Sequence, residues 1–400
     1  MKQAFSKTLL LSAIILMDML AGMELDLFVP SFPELQDTFN LTPFLVEGLL
    51  SINFLGYCLS LFFVGELADH YGRKPVILTG LLVFIAGSIL CLFAPFYSFL
   101  LIGRFMQGVG IAAPAILSFL IIADTYPLKK QQSLFAILNG IMNASVGIAP
   151  VIGSYIALYF HWQGNFAALL LLGIVTFFMS LFFVPSYPRV EPKETFSAKG
   201  YVNIIKSKPL VLGITHFIMQ FTPYWIFVGM SPLLYMGDLG VSLKQFGYYQ
   251  GTLAFVFAMG SLLFGLIVAK YDQVKMLKVS GYMFIIGFIS LGWVAFLDSF
   301  DPVVITLAFL VFVIACIVPS TILYPVLLEL MPRAKGRVSA LMQGGRLIFA
   351  ALGLQLAGYF YQGSFRNVGL IIIAFIGLST MTLFTIVNRR DIMEREKERL

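Results

Sequence analysis

Residues 43–64 read PFLVEGLLSINFLGYCLSLFFV, residues 65–75 read GELADHYGRKP, and the run from Pro75 to Ala94 reads PVILTGLLVFIAGSILCLFA. The first and last are apolar runs of about the length, roughly 20 residues, that a helix needs to cross the hydrocarbon core of a bilayer. Between them stand Gly65 and Gly72, the acids Glu66 and Asp69, and the bases Arg73 and Lys74. Such a segment is a polar turn between two membrane helices. The rest of the chain repeats this pattern.

Working outward, apolar runs lie near 8–29, 43–64, 75–94, 99–123, 134–158 and 166–185, and again near 209–233, 245–269, 276–297, 303–329, 338–360 and 366–387. Of the 400 residues, 59% are apolar and 12% charged, about half the charged share of a soluble domain, which excludes a water-soluble fold. The expectation is an all-α membrane protein of twelve transmembrane helices in two six-helix, pseudo-symmetric bundles. The net charge of +6 does not point to nucleic acid, because the basic residues form short runs between spans instead of one stripe. Of the 26 basic residues, Lys244 and Arg366 fall in one set of loops and Arg104 and Arg346 fall inside spans; all others fall in the opposite loops or at the termini. The positive-inside rule then puts both termini in the cytoplasm, as expected of a multi-pass protein of a bacterial inner membrane.

The longest polar interruption, 186–208, separates a first bundle (1–185) from a second (209–387), with a cytoplasmic tail at 388–400. Six spans on each side of a linker is the organisation of a two-half transporter. A faint echo of Gly65 and Tyr71 in Gly265 and Tyr271 supports the duplication. The first run carries Asp18, Glu24 and Asp26 and lacks a small-residue cleavage site, so it is expected to be retained as a helix. Cys58, Cys91 and Cys316 sit within apolar runs and show neither disulfide nor zinc spacing; no metal site is expected.

The segment Gly65-Glu66-Leu67-Ala68-Asp69-His70-Tyr71-Gly72-Arg73-Lys74-Pro75 resembles the signature loop between the second and third spans of the major facilitator superfamily. Its glycines suit a tight turn and close helix approach, and Asp69 with Arg73 suits a latch against neighbouring helix ends. The resemblance implies a gating role for Gly65, Asp69, Gly72 and Arg73. In the fourth span, Arg104-Phe105-Met106-Gln107-Gly108-Val109-Gly110 resembles the superfamily's Arg-x-x-Gln-Gly-x-Gly pattern. A guanidinium inside a span costs about 2.5–3.5 kcal/mol on insertion scales, so Arg104 is expected to face inward and pair with an acid, unless it snorkels to the interface.

Ala149-Pro150-Val151-Ile152-Gly153-Ser154 in the fifth span is similar to the glycine-proline antiporter signature but departs from it, with Ala149 and Ser154 at family glycine positions in one register. Pro150 and Gly153 still predict a bent, tightly packed helix that takes part in gating. Asp26-Leu27-Phe28-Val29-Pro30-Ser31-Phe32-Pro33 resembles the end of the first span in the bicyclomycin and chloramphenicol type of drug:proton antiporter, and Lys335 to Ala340 is a weaker likeness.

Intramembrane acids are functional by default. Asp18 stands about 15 Å along its helix from the cytoplasmic end, near midplane, where desolvation favours a neutral acid and a neighbouring guanidinium a charged one. Such a group can load and release a proton. On a helical wheel Asp26 lies about 80° from Asp18 and Glu24 about 120° to the other side. The proton-coupling set is therefore Asp18, Asp26, Glu24 and Arg104, with Asp26 expected to pair with Arg104 and Glu24 left between cavity and interface.

Arg346, within the eleventh span, is a second intramembrane cation that could neutralise Asp18 or receive an anionic group of the substrate. Asn53, Tyr57, Asn143 and Gln343 are candidate substrate contacts, equally readable as interhelical hydrogen-bond partners, as is Asn139, and Tyr224 with Trp225 could line the cavity through aromatic contacts. His216 is either a proton relay or, more simply, a packing group. Trp162, Trp225 and Trp293 suit an aromatic belt at the periplasmic face.

No nucleotide-binding loop, nucleophile with a base, or selectivity-filter repeat is present, so no enzyme and no cofactor beyond the proton gradient is expected. The partners are the lipid bilayer, a small-molecule substrate and protons, with no nucleic acid, and the resemblance implies a monomer. The expected function is proton-coupled export of a drug-like compound or endogenous metabolite by alternating access. Proton symport of a polar or anionic nutrient, siderophore export, and a receptor on a transporter scaffold are the alternatives.

Overall fold

The computed structural model describes residues 2–126, 128–186, 202, 204–331 and 334–389. Most of the 186–208 linker and of the 388–400 tail lies outside the described residues. Among those described there are helices and no strand. They are α1 (Lys2–Met23), a short α2 (Phe32–Phe39), α3 (Pro43–Tyr71), α4 (Arg73–Leu92), α5 (Tyr97–Thr125) and α6 (Leu128–Phe183). The second series is α7 (Lys208–Pro232), α8 (Leu243–Ile267), α9 (Gln273–Leu297), α10 (Pro302–Leu330), α11 (Lys335–Phe360) and α12 (Phe365–Val387).

Among the described residues, ten stretches are long and apolar enough to cross a membrane. One of them, Gly140–Phe183, breaks at His161, whose φ of 59° and ψ of −175° interrupt the helix. Counting that stretch as two traverses makes eleven; α1, which is not among the ten, is the further helix that the sequence reading counts as a span. Many apolar side chains point outward along these helices, among them Leu262, Leu266, Ile289, Phe182 and Met381. In water such a surface would aggregate; against lipid it costs nothing.

The boundaries differ from expectation in three places. α3 runs through the expected turn to Tyr71 and α4 starts at Arg73, so that Gly72 alone links them. The first span was expected to run from 8 to 29, but α1 stops at Met23 and residues 24–28 form a buried turn. Pro30 and Pro33 follow, and each lacks the N–H that a continuing helix would need. Beyond Pro232, the last turns of the seventh span widen into a π-helix over Leu233–Asp238.

The chain divides into two compact units: Met1–Phe196 together with Ser242–Gly251, and Ser197–Val241 together with Thr252–Leu400. The start of α8 thus groups with the first unit, which the sequence did not foresee. In the first unit α5 packs on α3, α4 and α1, while α6 packs on α1 and α4. In the second, α10 packs on α9 and α7, while α11 and α12 pack on α7 and α12 also on α9. Four of the five pairings in the first unit therefore recur in the second, a duplicated arrangement that the sequence echo only hinted at.

Candidate functional site

The polar centre of the first unit is assembled from four segments. The 24–28 turn after α1 contributes Glu24 and Asp26, α3 contributes Asn53, α4 contributes Ser88, and α5 contributes Arg104 and Gln107. All six are buried. Close crossing of α3 and α5 makes the assembly possible: a Cβ built on Gly108 would lie 2.1 Å from the Asn53 carbonyl oxygen, so a side chain there would push the two helices apart.

Arg104 Nη1 donates to Glu24 Oε1 at 2.7 Å and to Gln107 Oε1 at 2.7 Å, and its Nε reaches the Leu49 carbonyl at 3.4 Å. Its guanidinium carbon also stands 4.0 Å from the centre of the Phe28 ring, a cation–π contact that strengthens where water is excluded. Asn53 Nδ2 donates to Glu24 Oε1 at 2.7 Å and to the Arg104 carbonyl at 3.0 Å. Gln107 Nε2 donates to Ser88 Oγ at 2.8 Å. Arg104 is 0% exposed and Glu24 1%, so the snorkelling alternative for Arg104 is wrong.

The expected pairing of Asp26 with Arg104 is corrected: Glu24 holds the guanidinium, and neither oxygen of Asp26 has a hydrogen-bond partner. The physical reason is the early end of α1. The wheel that turned Glu24 away assumed a regular helix through 26, whereas α1 ends at Met23 and 24–28 form a turn in which the Glu24 and Leu27 N–H groups still bond to carbonyls four residues back, at 3.0 Å each. Asp18, still within α1, is 0% exposed and likewise has neither oxygen hydrogen-bonded. Asn53 is corrected from substrate contact to structural partner of the ion pair.

Sequence reasoning missed three polar groups. Gln107 stands three residues after Arg104 in the same motif, and i and i+3 residues on a helix are neighbours, which is the signal that could have found it. Ser88 carried no sequence signal. Glu47 is fully buried with neither oxygen hydrogen-bonded; as an acid within an apolar run it was open to the same reading as Asp18.

In the second unit, the Arg346 guanidinium carbon lies 5.3 Å from the Phe221 ring centre, and Phe221 packs against Phe217 and Phe257. Gln343 stands one helical turn before Arg346, and its Oε1 is buried without a hydrogen bond. Tyr224 is partly exposed and meets Trp225 edge-on at 5.7 Å. In the first unit Tyr57 and Asn143 are also partly exposed. His216 is a packing group: its Nδ1 faces the Ser379 carbonyl and the Thr382 hydroxyl, each at 3.1 Å. Of the three tryptophans expected in an aromatic belt, Trp293 is exposed, whereas Trp162 and Trp225 are buried and so do not belong to one. Trp162 packs between Phe39 and Phe166.

A sequence model of the Major Facilitator Superfamily matches residues 14–354. The chain belongs to the Major Facilitator Superfamily. Among curated relatives, "Multidrug resistance protein MdtL" of Salmonella paratyphi B (strain ATCC BAA-1250 / SPB7) is 30% identical over 232 residues, 58% of each chain. The protein of the same name from Escherichia coli O9:H4 (strain HS) is 28% identical over 226 residues, 56% of this chain and 57% of its own. The match therefore spans less than two thirds of these relatives. Solved structures agree on the fold. A D-xylose-proton symporter superposes with a TM-score of 0.77 at 16% identity over 96% of this chain and 98% of its own. A bacterial homologue of the human lysosomal transporter Spinster, inward-facing and occupied, gives 0.74 at 16% identity over 95% and 96%.

The superfamily loop between α3 and α4 is built as its charges suggest. Arg73 donates to Asp69 at 2.7 Å and to Asp124, near the end of α5, at 3.3 Å. Gly72 turns the chain with φ of 93°, open to glycine and strained for other residues. Gly65 departs from expectation: nothing lies within 4 Å of a Cβ built there, so no close approach requires it. Gly153 does require one, since its Cβ would lie 1.9 Å from the Leu27 carbonyl oxygen. This contact holds α6 against the 24–28 turn that carries Glu24 and Asp26. Pro150 lies inside α6, and its carbonyl accepts from Ser154 Oγ at 2.8 Å.

Proposed function

We propose that this chain is a proton-coupled secondary transporter that exports a small molecule in exchange for protons by alternating access. The observation that carries this reading is the fully buried Glu24–Arg104 ion pair with the unbonded Asp26 two residues away and Asp18 in the preceding helix. Taking a charge out of water is costly, so each of these acids favours its neutral form unless a partner charge or water reaches it. Glu24 can hold its charge only while the Arg104 guanidinium stays beside it; movement that separates them, or wets Asp26, exchanges a proton.

The direction is supported by the relatives called multidrug resistance proteins, which favour export of a drug-like compound or endogenous metabolite over uptake. Proton symport stays as the second reading, because Arg346 offers a cation to an anionic nutrient, as it would to a siderophore on its way out. Substrate contacts in either case are Arg346, Gln343, Tyr224, Tyr57 and Asn143, with the Asp69–Arg73 loop and the Pro150–Gly153 segment gating. The protein acts as a monomer in a bacterial inner membrane with both termini cytoplasmic, uses the proton gradient with no cofactor, and performs no enzymatic reaction.

The test is reconstitution into liposomes holding a trapped pH dye, with an imposed proton gradient and panels of cationic, neutral and anionic compounds. Substrate-evoked proton movement opposite to the substrate, lost in Asp26→Asn or Asp18→Asn, supports antiport. Movement in the same direction indicates symport, and ligand binding without either flux indicates a receptor.

A further inference from the structure

The hydrogen bonds around Arg104 run in one direction, and that direction begins at Ser88. The Phe84 carbonyl can only accept, and Ser88 Oγ donates to it at 2.8 Å. With its one hydrogen used, the Ser88 hydroxyl can only accept from Gln107, 2.8 Å away. The Gln107 amide must therefore turn its nitrogen to Ser88 and its oxygen to Arg104 Nη1, which is 2.7 Å away and can only donate. The reversed amide would set N–H against N–H. Each group in the chain is buried, with Ser88, Gln107 and Arg104 all 0% exposed, so water is not at hand to repair a break.

We infer that Ser88, on a helix that contributes no charged group to the site, is a positioning residue for the Glu24–Arg104 pair. Through the Gln107 amide it supplies the neutral acceptor that holds the guanidinium on Glu24. Without the hydroxyl, the amide loses the bond that fixes its plane, the guanidinium is held less closely, and Glu24 takes up a proton more readily. The inference rests on the ion pair as the proton-coupling site, and it is tested without transport so that the two can fail separately.

The experiment is an infrared pH titration of the purified protein without substrate, with the Glu24 carboxylate band assigned by its loss in Glu24→Gln. In Ser88→Ala the midpoint should rise by roughly one pH unit, a tenfold change in proton affinity, and in Ser88→Thr, which keeps the hydroxyl, it should return towards wild type. Gln107→Leu should shift it by a similar amount, and the double variant should shift it no further than either single change. An unchanged or lower midpoint in Ser88→Ala, or additive shifts in the double variant, would overturn the inference. Should Ser88→Ala fail to fold, Ser88→Thr and Gln107→Leu carry the same comparison. If the midpoints move as expected while liposomes show no proton flux, the positioning role stands and the transport reading falls.

Discussion

Glu24 and Asp26 stand two residues apart in one buried turn, yet only Glu24 meets Arg104, at 2.7 Å. The two acids therefore differ in what their removal leaves behind. Glu24→Gln strands a buried guanidinium and should lower folding stability by about 3–5 kcal/mol. Asp26→Asn removes an acid with no hydrogen bond and should be neutral or slightly stabilising. Thermal unfolding of the two variants in detergent checks this, and equal losses would remove the distinction.

Gly153 is predicted to tolerate no side chain. The Leu27 carbonyl lies 1.9 Å from where its Cβ would be, and that oxygen is backbone, so Gly153→Ala must displace α6 or the 24–28 turn at about 1–3 kcal/mol. Proton-coupled flux should fall with it, because the turn carries both acids. Gly65→Ala, with open space around it, is the control and should behave as wild type in both assays.

Arg73 bridges Asp69 and Asp124 in partly exposed surroundings. Exposed ion pairs are worth about 0.2–1 kcal/mol, so Arg73→Ala should hardly move the melting temperature while slowing turnover in liposomes. A large loss of stability instead would make this a structural clamp.

Arg346→Ala should weaken transport of anionic compounds and leave cationic ones little changed, measured across the same liposome panel, with the protein still inserted. Unchanged anion transport would remove Arg346 from the substrate site.

At the end of α11, burial and then the hydrogen bond to Asp238 raise the Tyr361 phenol above its usual range. A raised value means that the folded protein favours the neutral phenol. Its stabilising effect is therefore complete below pH 10, the ordinary value, and is lost only as pH climbs through the folded one. In an ultraviolet titration Tyr361→Phe should remove a late-titrating tyrosine, and an equal loss at the ordinary position would contradict this.

The sequence by itself determined the membrane class, the spans and the latch loop, because each depends on local quantities: hydropathy over some 20 residues, charge in short loops and glycine at a turn. It also determined that Arg104 needs an acid, since a guanidinium in a span has few alternatives. Only the tertiary structure decided which acid. The wheel favoured Asp26 because it extended α1 beyond Met23, and where a helix stops depends on what the following turn can pack against, here Phe28 on Arg104 and Leu27 beneath Gly153. The role of Ser88 was likewise invisible, for hydrogen-bond polarity passes between helices that lie far apart in the chain and leaves no periodic trace along any one of them.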